Sequence, residues 1–124
     1  MSAALSIYDI EAGLFSALAH PTRLQILELL RGGEACVCHI QAVLGQRQAY
    51  VSQQLMTLRD AGLVTSRKEG LRVYYRLSHP KLFTVLDEAR RIARTQARGR
   101  PLAEVALTPP HGQCYCPQCA SSPS

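Results

Sequence analysis

The chain has 124 residues, of which 47% are hydrophobic, and its 14 Lys and Arg exceed its 9 Asp and Glu, which gives a formal net charge of +5. This length predicts one domain with a modest core. No apolar run approaches the roughly 18 residues of a membrane span, and the N-terminal stretch MSAALSIYDIEAGLF lacks a basic segment followed by an apolar block. We therefore expect a cytoplasmic protein without a signal peptide, whose five cysteines stay reduced and favour metal or redox chemistry over disulfides.

The first half of the chain has the periodicity of four helices. Apolar residues at four-residue spacing predict a helix over residues 8–19. A second helix is predicted to begin at Pro21 and to end at the glycine pair 32–33, because proline suits a first helical turn and glycine a helix end. A short third helix is predicted over about 38–44 and a fourth over about 47–60.

The period then changes from that of a helix to that of a strand. The stretch LVTSRKEGLRVYYRLS, residues 63–78, is rich in β-branched and aromatic residues around a central KEG, which predicts a β-hairpin. Pro80 opens a fifth helix that is predicted to reach about Arg98. Beyond it, Pro, Gly, Ser and Thr are frequent and no period holds. We therefore predict a domain over residues 1–98 and a flexible, cysteine-containing tail over residues 99–124.

This order of elements predicts a mainly α fold with a small β-hairpin, a winged helix-turn-helix. In that architecture the second helix of the pair enters the major groove of DNA. Packing of Val51, Leu55 and Leu58 into the core leaves a small, polar outer face on the fourth helix. That face consists of Ala49, Ser52, Gln53 and Met56, with Tyr50 and Thr57 at its edges. It suits contacts with base edges, although on this pattern alone an ordinary solvated helix face explains it equally well.

The predicted hairpin favours the DNA-binding interpretation because it is basic. Its cations are Arg67, Lys68, Arg72 and Arg76. A basic hairpin directly behind a helix-turn-helix can reach phosphates and so fix the register of the helix in its groove. We therefore expect double-stranded DNA as the partner. We do not expect an enzyme, since the sequence contains no nucleophile–base pair with an orienting group and no phosphate-binding loop.

Four stretches of the chain are similar to the motifs of one known protein family. ALAHPTRLQILELL, ACVCHI, YVSQQLMTLRDAGLV and EGLRVYYRLS resemble, in that order, the helix signature, metal box, recognition helix and wing of the ArsR/SmtB metal-sensing transcriptional repressors. The resemblance implies a homodimer joined through the first and last helices, bound to an inverted repeat in DNA and released when metal binds. The predicted DNA contacts are Arg47, Gln48, Ala49, Tyr50, Ser52, Gln53, Arg67, Lys68 and Arg72.

The sequence departs from this family's pattern at three places. Arg47 stands where the family usually has a serine that caps the recognition helix, so we expect that cap to be missing and Arg47 to contact phosphate. His39 follows the metal box, where an acidic residue is usual. The last helix contains no histidine, which argues against the zinc site that some members build there from Asp, His and Glu.

Cys36 and Cys38 in ACVCHI are predicted to be metal ligands. On a regular helix these positions point about 200° apart and could not share an ion. Both can bind one ion only if the backbone is extended or unwound there, as it can be at a helix start after the glycine pair 32–33. An ion held by both thiolates would then distort the start of the helix-turn-helix. The alternative is that the two cysteines are small buried hydrophobic residues.

The stretch CYCPQC in the tail provides three more candidate metal ligands, Cys114, Cys116 and Cys119. Pro117 forces a turn that can converge the three thiolates on one ion, whereas a tail this polar has little use for cysteines in packing. The alternative is a tail without a specific role.

The chemistry of the ligands selects the class of inducer. Thiolates prefer soft ions. Trivalent arsenic or antimony takes three sulfurs, whereas zinc, cadmium or lead more often takes four, and five cysteines serve either. The CVC box and the missing histidine site favour arsenite, with His39 and His111 as candidate fourth ligands for a divalent ion. The alternative function is a thiol redox or persulfide sensor, in which Cys36 or Cys38 pairs with a tail cysteine.

Overall fold

The computed structural model describes residues 4–103, 105 and 107, and in them it contains five α-helices and a three-stranded sheet. A 3₁₀ turn over Leu30–Gly32 follows the second helix. The helices are α1 (Ile7–Leu18), α2 (Pro21–Leu29), α3 (Val37–Leu44), α4 (Gln48–Asp60) and α5 (Leu82–Gln96). The strands are β1 (Ala35–Cys36), β2 (Val64–Glu69) and β3 (Arg72–Leu77). The predicted winged helix-turn-helix is confirmed, with α3 and α4 as the helix pair and β2–β3 as the wing.

Local sequence explains where the first helices begin. Ser6 and Asp9 form a capping box at the start of α1, in which each side chain bonds the backbone N–H of the other residue. At the start of α2, His20 Nδ1 accepts a hydrogen bond from the Thr22 backbone N–H at 3.2 Å, and Pro21 occupies the first helical position. Gly45 ends α3 in the left-handed conformation, which glycine adopts without steric cost.

The sheet has the order β1-β3-β2 and is antiparallel throughout. The wing is a regular hairpin in which Glu69 is paired with Arg72 across a two-residue loop, Gly70 and Leu71. Gly70 has a φ of 61°, which is the conformation that favours glycine at this position. The predicted hairpin is confirmed, but β1 was not predicted. Its two residues are too few to show any period, yet they join the start of α3 to the wing.

The core lies between the helix pair, α2 and the inner face of the sheet. Its fully buried side chains include Ile26, Leu27, Ile40, Val51, Leu55 and Leu58. The prediction that Val51, Leu55 and Leu58 face the core is therefore confirmed. In the part of the chain that is described, no helix has the length and apolar character needed to cross a membrane.

Ion pairs attach α5 to α2 beside this core. Arg31 bonds Asp87 of α5 at 2.7 Å and Glu28 of α2 at 2.9 Å, and Arg90 of α5 bonds Glu28 at 2.7 Å. The Arg31 guanidinium also lies 4.3 Å from the centre of the Phe83 ring. Glu28 is the shared carboxylate of this network, and the hydrogen bond from Arg31 is the main cause that lowers its pKa.

Substitutions of two neighbouring residues on α4 should test which face of this helix packs in the core. Leu55 is 0% exposed and Met56 is 51% exposed. Leu55→Ala should lower the free energy of unfolding by about 2–5 kcal/mol, because it removes buried methyl groups and leaves a cavity. Met56→Ala should change it by less than about 0.5 kcal/mol. Urea unfolding followed by circular dichroism, at one protein concentration, measures both, and equal losses would contradict this packing.

The ion pairs of Glu28 should make the free energy of unfolding depend on pH. Because the pKa of Glu28 is lowered in the folded state, the unfolded chain takes up protons first as the pH falls through its ordinary value of 4.5. The network's contribution is therefore complete above this pH and is lost below it. Glu28→Gln should lower the free energy of unfolding by roughly 1 kcal/mol at pH 7, since the pair is partly exposed, and by much less at pH 3.5. Urea unfolding at both pH values measures this, and a deficit that persists in acid would contradict it.

Candidate nucleic-acid interface and thiol pair

The outer face of α4 has the exposure that the sequence predicts for a surface that reads bases. Ala49, Gln53 and Met56 are exposed, and Ser52 is half-buried. Two further predicted contacts, Arg47 and Gln48, are exposed at the start of the helix. No side chain caps α4 at Arg47, as the sequence predicted, so the first backbone N–H groups of the helix remain available to an anion.

Two polar side chains fix α4 on the neighbouring helices. The Tyr50 hydroxyl lies 3.1 Å from the Thr22 hydroxyl at the start of α2. Gln54 is buried, and its Oε1 accepts a hydrogen bond from Arg23 Nη1 at 2.9 Å. Arg23 Nε also donates to the Ala17 carbonyl at 2.6 Å, at the end of α1. Tyr50, predicted as a DNA contact, thus has a structural partner, and Gln54 was missed because polar residues are rarely assigned to a core.

The wing presents its cations in different surroundings. Arg67 forms ion pairs with Glu34 and Glu69, each at 2.6 Å, and its guanidinium lies 4.5 Å from the centre of the Tyr74 ring. These carboxylates raise the pKa of Arg67, and the hydrogen bond from Arg67 lowers the pKa of Glu34. A phosphate would have to compete with two carboxylates for Arg67. Among the predicted DNA contacts on the wing, Arg67 is therefore the one least available to DNA. Lys68 is exposed on the same strand.

Arg72 begins β3, on the wing, beside the two cysteines. It is half-buried, and a hydrogen bond with the Tyr74 side chain is the main cause that raises its pKa. The Cys38 and Cys36 sulfurs are near enough that their thiolate forms would also raise the pKa of Arg72. The predicted phosphate contact and the predicted metal ligands therefore lie next to one another, which the sequence did not indicate.

The two cysteine sulfurs of the CVC box converge. Cys36 has an extended backbone and is the N-cap of α3, whereas Cys38 lies in the first turn. Their sulfurs are 2.7 Å apart, and Cys36 Sγ accepts a hydrogen bond from the His39 backbone N–H at 3.4 Å. The extended backbone that a shared ion would require at this point is therefore present. Cys36 is buried at 1% exposure and Cys38 is exposed, so the pair can be reached from one side only.

The thiol pair fits a soft ion but does not complete its coordination. No group of three or more His, Cys, Asp or Glu side chains that could hold a metal occurs among the described residues. His39 is therefore not grouped with the two thiols. It is buried at 2% exposure, and desolvation lowers its pKa. The other candidate ligands, Cys114, Cys116, Cys119 and His111, lie outside the described residues.

Two residues of this region were missed by the sequence analysis. Tyr74 contacts both Arg67 and Arg72, and it is the strand partner of Cys36. The alternation of a strand could have found it, since Arg72, Tyr74 and Arg76 share one face. No sequence signal pointed to Glu34, whose pairing with Arg67 spans 33 positions of the chain.

Known proteins share both the sequence and the fold of this chain. Residues 20–66 match the family of bacterial regulatory proteins called the arsR family. The arsenical resistance operon repressor of Escherichia coli is 44% identical over 96 residues, which are 73% of this chain and 82% of that protein.

Two solved structures extend this similarity to three dimensions. One is the homodimeric winged helix-turn-helix DNA-binding domain from Mycobacterium bovis. The two chains superpose with a TM-score of 0.67 and 30% sequence identity, and the match covers 83% of this chain and 100% of the other. The other is the AntR antimony-specific transcriptional repressor, which has a TM-score of 0.59 and 30% identity and covers 68% of this chain and 78% of that one. These relatives are regulators of transcription and not enzymes, as the sequence predicted. The chain belongs to the ArsR family of DNA-binding transcriptional regulators.

Proposed function

We propose that this protein is a cytoplasmic repressor that binds an inverted repeat in double-stranded DNA as a homodimer and is released by arsenite or another thiophilic ion. The ion is held by Cys36 and Cys38 together with tail thiolates from Cys114, Cys116 and Cys119. One observation carries this proposal: the sulfurs of Cys36 and Cys38 converge to 2.7 Å at the start of the helix pair. Two thiolates on one side of a protein surface are half of a soft-ion site.

The proposed DNA contacts are supported by exposure and charge. Ala49, Gln53 and Met56 form an exposed strip on α4, and the wing behind them carries Lys68, Arg72 and Arg76. The formal net charge of +5 adds a sequence-independent attraction to DNA. Arg47 at the uncapped start of α4 adds a cation where the backbone N–H groups already favour an anion.

The proposed homodimer is supported by apolar side chains on the two terminal helices. On α1, Ile7, Tyr8 and Ile10 are 68%, 77% and 59% exposed, and Ile92 on α5 is 62% exposed. A helix face this apolar normally packs against something. The similar domain from Mycobacterium bovis is homodimeric, and a second copy covering α1 and α5 gives two recognition helices for two half-sites.

The proposed inducer is supported by the sulfur count. The domain supplies two thiolates, and arsenic or antimony needs one more, whereas zinc, cadmium or lead needs two. Residues 99–113 could extend about 50 Å at ~3.3 Å per residue, so tail cysteines can reach the pair. The names of two relatives refer to arsenic and antimony, which take the same three-sulfur geometry.

The second candidate function is a thiol redox or persulfide sensor. In this alternative an oxidant such as peroxide converts Cys36 or Cys38 to a sulfenic acid, and a tail cysteine then forms a disulfide with it; the exposure of Cys38 supports this candidate. The two functions differ in their effector. Titration of a protein–DNA complex with arsenite, cadmium, zinc and peroxide, followed by fluorescence anisotropy of the DNA, distinguishes them.

Substitution of Gln53 should alter base preference. Gln53→Ala should relax discrimination by about 1–3 kcal/mol at one base pair, because the amide can donate to and accept from a base edge. Lys68→Ala is the control, since loss of a phosphate contact should weaken binding to all sequences alike and reduce its salt dependence. Anisotropy with an operator and its single-base variants measures both. An unchanged preference in Gln53→Ala would refute this assignment of the reading face.

Removal of both domain thiols should separate DNA binding from induction. Cys36→Ser/Cys38→Ser should bind the operator with near wild-type affinity, and arsenite should no longer release it. Truncation before Cys114 is the matched variant, and it should respond only at higher arsenite concentrations because one domain pair cannot complete the shell. Arsenite titrations of the three protein–DNA complexes measure this. Should the double variant release DNA at the wild-type concentration, the tail alone is the sensor.

A further inference from the structure

A cavity of about 260 Å³ opens beside the thiol pair, and its walls come from both elements predicted to contact DNA. Cys36 and Cys38 form one wall. The start of α4 contributes Gln48 and Ser52, and the wing contributes Leu71 and Arg72. Three residues of the predicted DNA contact set thus line the same space as the two predicted metal ligands.

The cavity lies on the accessible side of the thiol pair. Cys36 is buried and Cys38 is exposed, and both line the cavity, so a ligand reaches the sulfurs through it. An ion held by both sulfurs would direct its remaining ligands into this cavity, and these ligands would fill the gap between α4 and the wing.

The same gap is needed by DNA. In a winged helix-turn-helix the recognition helix and the wing contact one duplex, and phosphate contacts on either side fix the position of the helix. Arg72 is half-buried at the edge of the cavity, in contact with the Tyr74 side chain and near both sulfurs. Leu71 at the wing turn is 100% exposed, so the wing extends past the cavity toward solvent. A duplex that contacts both Ser52 and Arg72 would therefore cover the opening through which a ligand reaches the two sulfurs.

The thiol pair can hold an ion while Cys36 remains the extended N-cap residue of α3. Cys36 Sγ and Cys38 Sγ are already in contact. Two thiolates on a tetrahedral zinc ion at about 2.3 Å lie about 3.8 Å apart, which is an ordinary contact distance between two sulfurs. The geometry therefore favours exclusion of DNA over distortion of the helix pair as the main effect of the ligand.

We propose that DNA and the thiophilic ligand compete for this one cavity, so that the ligand binds only protein that has already left the DNA. This inference rests on the proposed function and specifies how release occurs. It assigns Gln48, Ser52 and Arg72 to both states, as DNA contacts in one and as walls around the coordinated ion in the other.

The rate of DNA dissociation tests this inference. Full-length protein is bound to a fluorescent duplex selected by enrichment from random sequences, and is then mixed with excess unlabelled duplex and increasing arsenite in a stopped-flow instrument. We expect a dissociation rate that is constant within twofold, although arsenite lowers DNA occupancy at equilibrium. A rate that rises with arsenite would mean that ligand binds the protein–DNA complex, which would overturn the inference.

Thiol protection provides a second test that does not depend on arsenite. N-ethylmaleimide modification of Cys36 and Cys38, followed by mass spectrometry of their peptide, should be at least tenfold slower with the duplex bound. The control is the same mixture at a salt concentration that prevents binding, where the protection should vanish. Equal modification rates with and without bound duplex would overturn the inference. If arsenite releases no DNA at equilibrium, the proposed inducer is wrong, and the protection result still decides whether the cavity is shared.

Discussion

The position of Cys36 in two elements at once is the constraint on which the rest of this structure depends. Its backbone pairs with Tyr74 as the last residue of β1, and its sulfur accepts the hydrogen bond that caps α3. At 1% exposure it is also enclosed by the core. The helix pair and the wing are therefore joined at a residue that the sequence predicts to be a metal ligand.

The cations of the wing differ in how far neighbouring carboxylates balance their charge. Arg67 is held by Glu34 and Glu69, so its charge is largely balanced within the protein. Lys68 and Arg72 stand closer to the loop of the hairpin, and the excess of basic residues over the whole chain supports an attraction to phosphate. Arg67 is also held against the Tyr74 ring, so its guanidinium serves contacts within the protein, and Lys68 and Arg72 remain the proposed phosphate contacts of the wing.

The sequence predicted the parts of the fold that repeat a pattern over many residues, and it missed those that depend on single contacts. The five helices and the hairpin follow from periodicity and from the positions of proline and glycine. Their observed bounds lie within two residues of the predicted ones, except that α2 ends at Leu29, before the glycine pair. Strand β1 has two residues and therefore no period. The ion pair between Glu34 and Arg67 joins distant positions, and only the folded chain reveals it.

In the candidate site, too, the sequence predicted the local geometry of the cysteine pair but not its contacts with distant residues. An i, i+2 pair of cysteines requires an extended residue if both are to bind one ion, and the observed N-cap conformation of Cys36 supplies it. The proximity of Arg72 to these thiols could not be read from the sequence, because it results from the pairing of β1 with β3. The sequence offered His39 only as a candidate fourth ligand for a divalent ion, and it did not indicate that this side chain is buried on the inward face of α3.

If DNA and the thiophilic ligand share one cavity, the protein can release DNA without a change of conformation. Release through a change of conformation needs a ligand that prefers the DNA-incompetent state by about 10⁴-fold to reverse a 99:1 population. The sulfurs of Cys36 and Cys38 are already in contact, so binding of one ion to both offers little conformational difference from which to obtain that preference. Under mutual exclusion the ligand binds only the DNA-free protein, because DNA and the ligand cannot occupy the cavity together. The speed of the response is then limited by the phosphate contacts that hold the DNA, so the strength of the wing sets both the affinity of the repressor and the delay before induction.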